Sequence, residues 1–351
     1  EIIKYRKWRN DLMKIEELKQ KLNNLARVKL GFFPTPLHKL ENLSKVLGVN
    51  LYLKRDDFSG MNLFGGNKIR KLEYLIGDAV SKGCEYVFTF GATQSNHAMQ
   101  TATSCCRCGL KPVLYLESIV EPDENDVRSN LLLDKIMGAE IHIFEEGIDL
   151  MKEAEKQINQ LESAGHKCYV VPMGGANEIG STGFVGGYAE LTEQLSKKGI
   201  EADYIFHATG TGGTLAGLVA GKKLLNSGTE IISIDVSDKD EEFYENVAKL
   251  ATETIKRVGF EQIITGKDIN HDLDYFGKGY EIPTELASNA IKRLARTEGI
   301  LADPVYSGKA FSALIDYIER GKVKQGSNVV FWHTGGSTAL FAEKEIIGDL
   351  F

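Results

Sequence analysis

Short strand-like segments rich in Val, Ile, Tyr and Phe alternate with helical segments along almost the whole chain of 351 residues. Their sequences are NLYLKRDD, EYVFTFG, PVLYLE, AEIHIF, KCYVVP, ADYIFHATG, EIISIDV and NVVFWHTG. Because helical stretches separate most of them, the pattern predicts parallel βαβ units and an α/β fold. Two of the helices are predicted from about Lys68 to Lys82 and from Ser95 to about Cys108. Neither an internal repeat nor a low-complexity linker interrupts the pattern, so any domain boundary is weakly marked.

Composition narrows the class of protein. The chain is 42% hydrophobic and 26% charged, which excludes disordered and fibrous proteins, and its length predicts about two domains. The net charge of −7 argues against a nucleic-acid partner. The longest uncharged run, Tyr204–Gly221, is typical of strand, loop and helix rather than of a membrane span. The N-terminal stretch has no apolar signal-peptide core, and five cysteines make a poor disulfide framework, so a reducing, cytoplasmic location is expected.

The first candidate site is the segment Gly65–Lys68, which opens a predicted helix. Its glycines permit close approach of the backbone, and Lys68 falls in the first helical turn. The partial positive charge of a helix N-terminus disfavours an ammonium ion and lowers its pKa, and the neighbours Arg70 and Lys71 are expected to act in the same direction. Lys68 is therefore a candidate nucleophile toward an aldehyde. The alternative is a solvated lysine at a basic helix start.

The second candidate site is the polar run Gly91–His97, directly after a strand. A turn of this kind presents free backbone N–H groups, hydroxyls and amides, which suit a carboxylate or another anion. Thr93 or Ser95 could instead serve only as a helix N-cap. Capping alone does not require so dense a polar run.

The third candidate site joins a strand to a helix, and glycines and hydroxyls converge there at a helix start. Its residues are Thr209, Gly210, Thr211, Gly212, Gly213 and Thr214. No Gly-Lys-Ser/Thr ends the segment, which excludes a Walker A loop. A dinucleotide fingerprint is nearly matched and Asp235 lies at a suitable distance, but Leu215 occupies the third glycine position. The segment therefore predicts a cradle for a single phosphate.

A fourth cluster, His333–Thr338, follows the last strand and is weak evidence alone. Together, a nucleophilic lysine, an anion-binding turn and a phosphate cradle predict pyridoxal 5′-phosphate, because its aldehyde, its phosphate and its amino-acid substrate need these three features. No metal site is predicted. Cys105 and Cys108 have C-x-x-C spacing, but no second pair or paired histidines follow, which is more typical of a buried helix.

These segments resemble the fold-type II pyridoxal-phosphate enzymes, and within them the group of D-cysteine desulfhydrase and 1-aminocyclopropane-1-carboxylate (ACC) deaminase. The matching stretches lie between about residues 35 and 340 and include PTPLHKL, LYLKRDD, GGNKIRKLEYL, GATQSNHAMQTA, HATGTGGTLAGL, ADPVYSGKA and HTGGSTALF. The resemblance implies a fold like the tryptophan synthase β chain, with two open parallel-sheet αβ domains. Residues 1–70 and 181–351 would form the large domain, and residues 71–180 a small inserted one. It also implies a homodimer with a small amino-acid substrate and neither a nucleic-acid nor a membrane partner.

The resemblance assigns roles to most of the candidate residues. Lys68 matches the lysine that bonds to the cofactor and moves the α-proton of the substrate. Asn96 matches an asparagine that contacts the phenolic oxygen of the cofactor, and Ser95 belongs to the substrate-carboxylate site. The segment Thr209–Thr214 matches the phosphate loop.

Tyr280 and Tyr306 match two active-site tyrosines that face the substrate. The sequence around them gives no independent support, because an aromatic residue beside Ile282 and Pro283, or after Pro304 and Val305, is more often part of the core. Their assignment as catalytic residues therefore rests on the resemblance.

Two positions separate the branches of the group. ACC deaminases resemble this chain but have Glu at the position of Ser307 and Leu at that of Thr334, so the chain resembles the desulfhydrase branch. A glutamate beside the pyridine nitrogen keeps it protonated and strengthens the electron sink needed to open a cyclopropane ring, whereas a neutral serine suffices for the loss of a thiol. The expected reaction is the α,β-elimination of D-cysteine with water to pyruvate, sulfide and ammonia.

Three alternatives stay open. One is a related lyase with another leaving group on the β-carbon, such as L-cysteate sulfo-lyase. The second is ACC deaminase itself. The third, from a different class, is a non-catalytic cofactor- or nucleotide-binding protein, which would not need the lysine at position 68.

Overall fold

The computed structural model describes residues 2–60, 62 and 65–350. The strands in this part of the chain are β1 (Leu37–Lys39), β2 (Asn50–Arg55), β3 (Tyr86–Ala92), β4 (Lys111–Ser118), β5 (Glu140–Glu145), β6 (Cys168–Val170), β7 (Tyr204–Thr209), β8 (Glu230–Asp235), β9 (His271–Asp272) and β10 (Asn328–His333). The helices are α1 (Ile2–Asn23), α2 (Glu41–Leu47), α3 (Lys68–Ser81), α4 (Asn96–Cys108), α5 (Ser129–Ile136), α6 (Leu150–Ser163), α7 (Glu178–Lys197), α8 (Gly213–Leu225), α9 (Glu242–Arg257), α10 (Glu285–Glu298), α11 (Ser307–Glu319) and α12 (Lys344–Ile347).

The strands form two sheets. The larger has the order β1-β2-β10-β7-β8-β9 and the smaller the order β5-β4-β3-β6. Every pairing is parallel except that of β1 with β2. The predicted α/β fold with two parallel sheets is confirmed, and all eight predicted strands are present. The sequence analysis missed β1 and β9, which have three and two residues and are too short to show a strand pattern.

The chain enters the smaller sheet and returns to the larger one. All four strands of the smaller sheet lie between residues 86 and 170, whereas the larger sheet takes strands from both sides of this segment. The predicted boundaries at 70/71 and 180/181 fall inside α3 and α7, so the division into two domains at these residues stays a prediction.

The larger sheet is buried on both faces. Along β10, Val330 and Trp332 pack on one face with residues of α7, α8 and α9. Val329 and Phe331 pack on the other face with residues of α10 and α11. Successive side chains of a strand point to opposite faces, so a strand covered on both sides is apolar along its buried length, as this one is from Val329 to Trp332. Full burial of one such side chain contributes about 1.5–3 kcal/mol to stability.

The three polar clusters of the sequence that follow strands lie at carboxyl ends of parallel strands. Gly91–His97 spans the end of β3, Thr209–Thr214 follows β7, and His333–Thr338 follows β10. In open α/β sheets this edge is where ligands bind. Among the helices in the described part of the chain, none is long and apolar enough to cross a membrane.

Candidate active site

Two glycines bring the start of α3 to the end of β10. Gly66 forms an isolated antiparallel bridge with Gly335, and Asn67 N–H donates to Thr334 O over 3.0 Å. A Cβ atom on Gly66 would lie 2.7 Å from Gln100 Nε2 and 3.0 Å from Thr334 O. Only glycine therefore allows this approach, which places Lys68 beside Thr334.

Lys68 lies in a pocket at the carboxyl edge of the larger sheet. Its lining residues are Asn67, Lys68, Lys71, Asn96, Ala208, Thr209, Gly210, Thr211, Gly212, Thr214, Tyr306, Thr334 and Gly335. Burial lowers the pKa of the Lys68 amine to about 8. At pH 7 roughly a tenth of the amine is therefore neutral and nucleophilic, a far larger fraction than for an ordinary lysine.

Arg70 anchors α3 and does not act on Lys68 as the sequence analysis expected. Its Nε and Nη2 atoms donate to the two carboxylate oxygens of Asp56 over 2.7 and 2.8 Å, and its Nη1 donates to Glu190 over 3.1 Å. Because these carboxylates pair its charge, burial alone accounts for the lowered pKa of Lys68. The expectation that Arg70 contributes to it is wrong. Trp332 Nε1 also donates to Asp56, which ties the helix start to β10.

The predicted phosphate cradle runs from the last residue of β7 into the first turn of α8. Gly212 adopts a φ of +82°, and a Cβ atom there would lie 2.7 Å from Val247. Thr214 Oγ1 accepts a hydrogen bond of 3.1 Å from Asn67 Nδ2, which links the cradle to the start of α3. Thr209 Oγ1 accepts one of 2.7 Å from Ser233. All cradle residues except Gly213 line the pocket.

Lys71 is a functional candidate that the sequence analysis did not select. It lies one turn after Lys68 on the same face of α3, is fully buried, and donates from Nζ to Gly174 O over 3.0 Å. A Cβ atom on Gly213 would lie 2.9 Å from this Nζ, so Lys71 contacts the cradle. Burial, and then the charge of Lys68, lowers its pKa well below the ordinary value. The i, i+3 spacing to Lys68 was the available signal, since such residues share a helix face.

Asn96 is held with its amide nitrogen available to the pocket. Its Oδ1 accepts hydrogen bonds from Asn130 Nδ2 over 2.9 Å and from Thr338 Oγ1 over 3.1 Å. Because both donors engage the oxygen, the Nδ2 group is left as a donor. This orientation fits the predicted contact with an oxygen of the cofactor.

Ser95 is the N-cap of α4. Its Oγ accepts a hydrogen bond of 3.2 Å from Ala98 N–H, which was the alternative that the sequence left open. The side chain is 7% exposed and does not line the pocket in this structure. Its assignment to the substrate-carboxylate site stays a prediction.

The structure brings together the two predicted tyrosines, which are 26 residues apart in the chain. The hydroxyls of Tyr280 and Tyr306 form a hydrogen bond, and their ring centroids lie 5.6 Å apart at an interplanar angle of 73°. Tyr306 lines the pocket, and Tyr280 contacts the pocket only through the hydroxyl of Tyr306. Burial raises the pKa of both hydroxyls, well above the ordinary value for Tyr280. Both therefore keep their protons at neutral pH.

Ser307 is hydrogen-bonded to a carboxylate that the sequence analysis did not identify. Its Oγ donates to Asp303 Oδ1 over 2.5 Å and accepts from Asp303 N–H over 2.9 Å, and both residues are fully buried. The Asp303 carboxylate also accepts the backbone N–H groups of Val305, Tyr306 and Ser307. Ser307 thus has a carboxylate directly beside it. Thr334, the second branch position, lines the pocket.

The donor set fits pyridoxal phosphate. A buried amine of lowered pKa suits an aldehyde, and a glycine-rich helix start with a buried lysine suits a phosphate. The Asn96 amide suits an anionic oxygen. No group of three or more Cys, His, Asp or Glu side chains suited to a metal ion occurs within residues 2–60, 62 and 65–350.

Comparisons with known proteins agree with this geometry. The family described as "Pyridoxal-phosphate dependent enzyme" matches residues 28–335. The chain is similar to a protein named "Putative 1-aminocyclopropane-1-carboxylate deaminase" from Pyrococcus abyssi, at 41% identity over 91% of this chain and 94% of the relative. It is also similar to a protein named "D-cysteine desulfhydrase" from Serratia proteamaculans, at 37% identity over 93% of this chain and 98% of the relative.

A solved structure supports the same relationship. The chain is similar to a crystal structure described as an "ACC deaminase homologue", with a TM-score of 0.84 and 37% identity. The match covers 93% of this chain and 96% of that one. The arrangement of both sheets is therefore shared by a protein of the same family.

Proposed function

Because the chain belongs to the family of pyridoxal-phosphate dependent enzymes and its cofactor is pyridoxal 5′-phosphate, we propose that it catalyses the α,β-elimination of D-cysteine. In this reaction D-cysteine and water give pyruvate, hydrogen sulfide and ammonia. The bound cofactor withdraws electrons from the α-carbon of the substrate, which allows a bond there to break. Lys68 would hold the cofactor through its aldehyde, and Lys71 and the Thr209–Thr214 cradle would hold its phosphate.

Lys68 is the proposed base. It would hold the cofactor through its aldehyde, and the amine freed when the substrate binds would be available as a base. A pKa of about 8 suits this amine for taking the α-proton near neutral pH, because a base works best when its pKa is close to the working pH. Asn96 and Thr334 border the same pocket and orient the bound molecules.

The tyrosine pair is the proposed acid. The sulfur gains negative charge as it leaves the β-carbon as hydrosulfide, and the Tyr280–Tyr306 contact offers it a hydroxyl that stays protonated and can donate a hydrogen bond. The second hydroxyl, hydrogen-bonded to the first, supports this donor. The observation that carries the proposal is this pairing of a buried amine of lowered pKa with protonated hydroxyls beside one pocket.

Ser307 and Thr334 favour D-cysteine as the substrate. Neither position holds the Glu or Leu that the resemblance assigns to ACC deaminases, and a relative named D-cysteine desulfhydrase is 37% identical. ACC deamination is the second candidate. The name ACC deaminase is carried by Burkholderia ambifaria and Pyrococcus abyssi relatives, and the Asp303 carboxylate 2.5 Å from Ser307 could support a protonated pyridine nitrogen.

A substrate panel tests the proposal. The holoenzyme is given D-cysteine, L-cysteine, D-serine, cysteate or ACC, and 2-oxo acid, sulfide and ammonia are measured. D-cysteine should give pyruvate and sulfide in equal amounts, with little 2-oxobutanoate from ACC. Efficient ACC turnover would favour the second candidate. Activity on cysteate alone would mean that the leaving group is wrong, and inactivity toward all five would contradict the lyase assignment.

A double variant distinguishes the two candidate reactions, elimination of D-cysteine and deamination of ACC. Ser307→Glu with Thr334→Leu should weaken sulfide release and bring in some ACC ring opening. Both positions act on the same cofactor and substrate, so their effects need not add. The single variants serve as controls.

The assembly and location are part of the same proposal. We expect a homodimer that acts in the cytoplasm on a small amino acid. Light scattering of the purified holoenzyme measures its mass, and a mass near the 38.8 kDa of one chain would contradict the dimer.

A further inference from the structure

The segment that carries Tyr280 has an unusual backbone. Between Phe276 and Glu281, positive φ angles occur at Gly277 (+78°), Gly279 (+148°) and Glu281 (+61°). Glu281 is not a glycine, and it is 1% exposed. A side chain in the left-handed region is strained, and such strain persists only where the surrounding structure holds it in place. Other parts of the molecule must therefore fix this segment.

Lys309 contacts the segment from helix α11. Its side chain is fully buried, and its Nζ donates to Phe276 O over 2.8 Å and to Gly279 O over 2.9 Å. Both partners are carbonyl oxygens rather than carboxylates, so the charge is not paired by these bonds. Hydrogen bonds from an ammonium are stronger than those between neutral groups. The two acceptors are the first and last carbonyls of a turn of four residues. Lys309 thus ties the turn to α11.

The same helix start also carries the other tyrosine. Tyr306 immediately precedes α11, and Lys309 follows it by three residues. One element therefore presents the Tyr306 hydroxyl and holds the backbone on which Tyr280 stands. We propose that Lys309 is a positioning residue that keeps the Tyr280 hydroxyl in hydrogen-bond contact with Tyr306. This clamp, the two hydrogen bonds from Lys309 Nζ to the carbonyls of Phe276 and Gly279, is independent of the reaction, whereas its effect on turnover rests on the proposed function.

Hydrogen exchange of the holoenzyme tests the clamp without any substrate. Lys309→Met keeps the length of the side chain and removes the ammonium. Amide exchange in residues 274–283 should become at least about tenfold faster, because local opening no longer breaks two charged hydrogen bonds. Exchange in the Thr209–Thr214 cradle should not change. The control is Lys292→Met on α10, which removes a lysine charge elsewhere. Unchanged exchange in residues 274–283 of the Lys309 variant would overturn the proposal.

Kinetics test whether Lys309 acts through Tyr280. With D-cysteine, Lys309→Met should lower kcat by about 10²-fold, within the range for loss of a positioned acid, while KM changes by less than about threefold. In a Tyr280→Phe background the same substitution should have almost no further effect, because the hydroxyl that it positions is gone. If instead the loss of kcat in the double variant equals the product of the losses in the two single variants, Lys309 does not act through Tyr280. If Lys309→Met does not fold, Lys309→Leu, which also lacks a donor, is used for both experiments.

Failure of the proposed function has a different signature. If the holoenzyme does not act on D-cysteine, or if Tyr280→Phe retains full turnover, the assignment of the substrate or of the acid is wrong. Faster exchange in Lys309→Met would still support the clamp in that case.

Discussion

The two sides of the pocket are built in different ways. The phosphate side consists of consecutive residues, Thr209–Thr214, from the last residue of β7 into the first turn of α8. The tyrosine side joins Tyr280 and Tyr306, which are distant in the chain, through a hydrogen bond and through Lys309. Backbone conformation fixes the first side, and long-range contacts between side chains fix the second. Substitutions on the first side should therefore alter cofactor binding, and those on the second should alter turnover.

The largest expected effect lies on the tyrosine side. Tyr280→Phe and Tyr306→Phe keep the rings and remove the hydroxyls, so each should lower kcat for D-cysteine by about 10²–10⁴-fold if the pair is the acid. Cofactor affinity, measured by titration of the apoenzyme, should be almost unchanged. Tyr275→Phe is a matched control, since its hydroxyl donates to Asp316 rather than to the pair. Normal turnover in both test variants would mean that these tyrosines serve only in packing.

On the phosphate side, Lys71→Met should mainly weaken the binding of the cofactor. A charged hydrogen bond to a buried group contributes about 1.5–3 kcal/mol, which corresponds to a loss of roughly 10–10²-fold in affinity. Equilibrium dialysis of the apoenzyme against pyridoxal phosphate measures this affinity. Saturating cofactor should restore most of the turnover. A variant that binds the cofactor normally would show that Lys71 does not reach the phosphate.

A smaller loss of cofactor affinity is expected from Gly213→Ala. The added Cβ would lie 2.9 Å from both Lys71 Nζ and Ala176 Cα, so the amine must shift and affinity should fall by about tenfold. Gly228→Ala is the control, because a Cβ atom there meets nothing within 4 Å. Equal affinities for the two variants would mean that the cradle tolerates a side chain at Gly213.

The pH dependence of cofactor attachment tests the lowered pKa of Lys68 without any substitution. Only the neutral amine of Lys68 attacks the aldehyde, so the rate of attachment to the apoenzyme should rise with pH and level off above a pKa of about 8. An ordinary lysine would level off only above about 10.4. Stopped-flow absorbance between pH 6.5 and 9.5 measures this rate, where the range is chosen to bracket the expected pKa of about 8. A rate that still rises tenfold per pH unit at the upper end would contradict the lowered pKa.

The same contrast explains what could be predicted from the sequence. The strands, α3, α4 and the cradle follow from local patterns, because apolar runs, glycines and helix starts act on neighbouring residues. Lys68 is a candidate on this ground, whereas the role of Asn96 comes from the family resemblance. The Tyr280–Tyr306 contact, the Asp303 carboxylate beside Ser307 and the Lys309 clamp all depend on which elements pack together. Sequence patterns do not specify such tertiary contacts, so the tyrosines were assigned only through a family resemblance.

Lys71 shows how the two kinds of information combine. Its sequence position places it on the same face of α3 as Lys68, but only the packing of α3 against the Gly174 carbonyl and the start of α8 shows that it reaches the cradle. Arg70, on a different face, is instead paired with Asp56. Three basic residues close together in the chain thus have three different environments.

The most direct test of this account is to trap the cofactor on the protein. Borohydride reduction of the yellow holoenzyme, followed by digestion and mass spectrometry, identifies the lysine to which pyridoxal phosphate is attached. We expect the label on Lys68 alone, with none in Lys68→Ala and full labelling of Lys68 in Lys71→Met at saturating cofactor. A label on Lys71, or a colourless protein that takes up no added cofactor, would contradict the account.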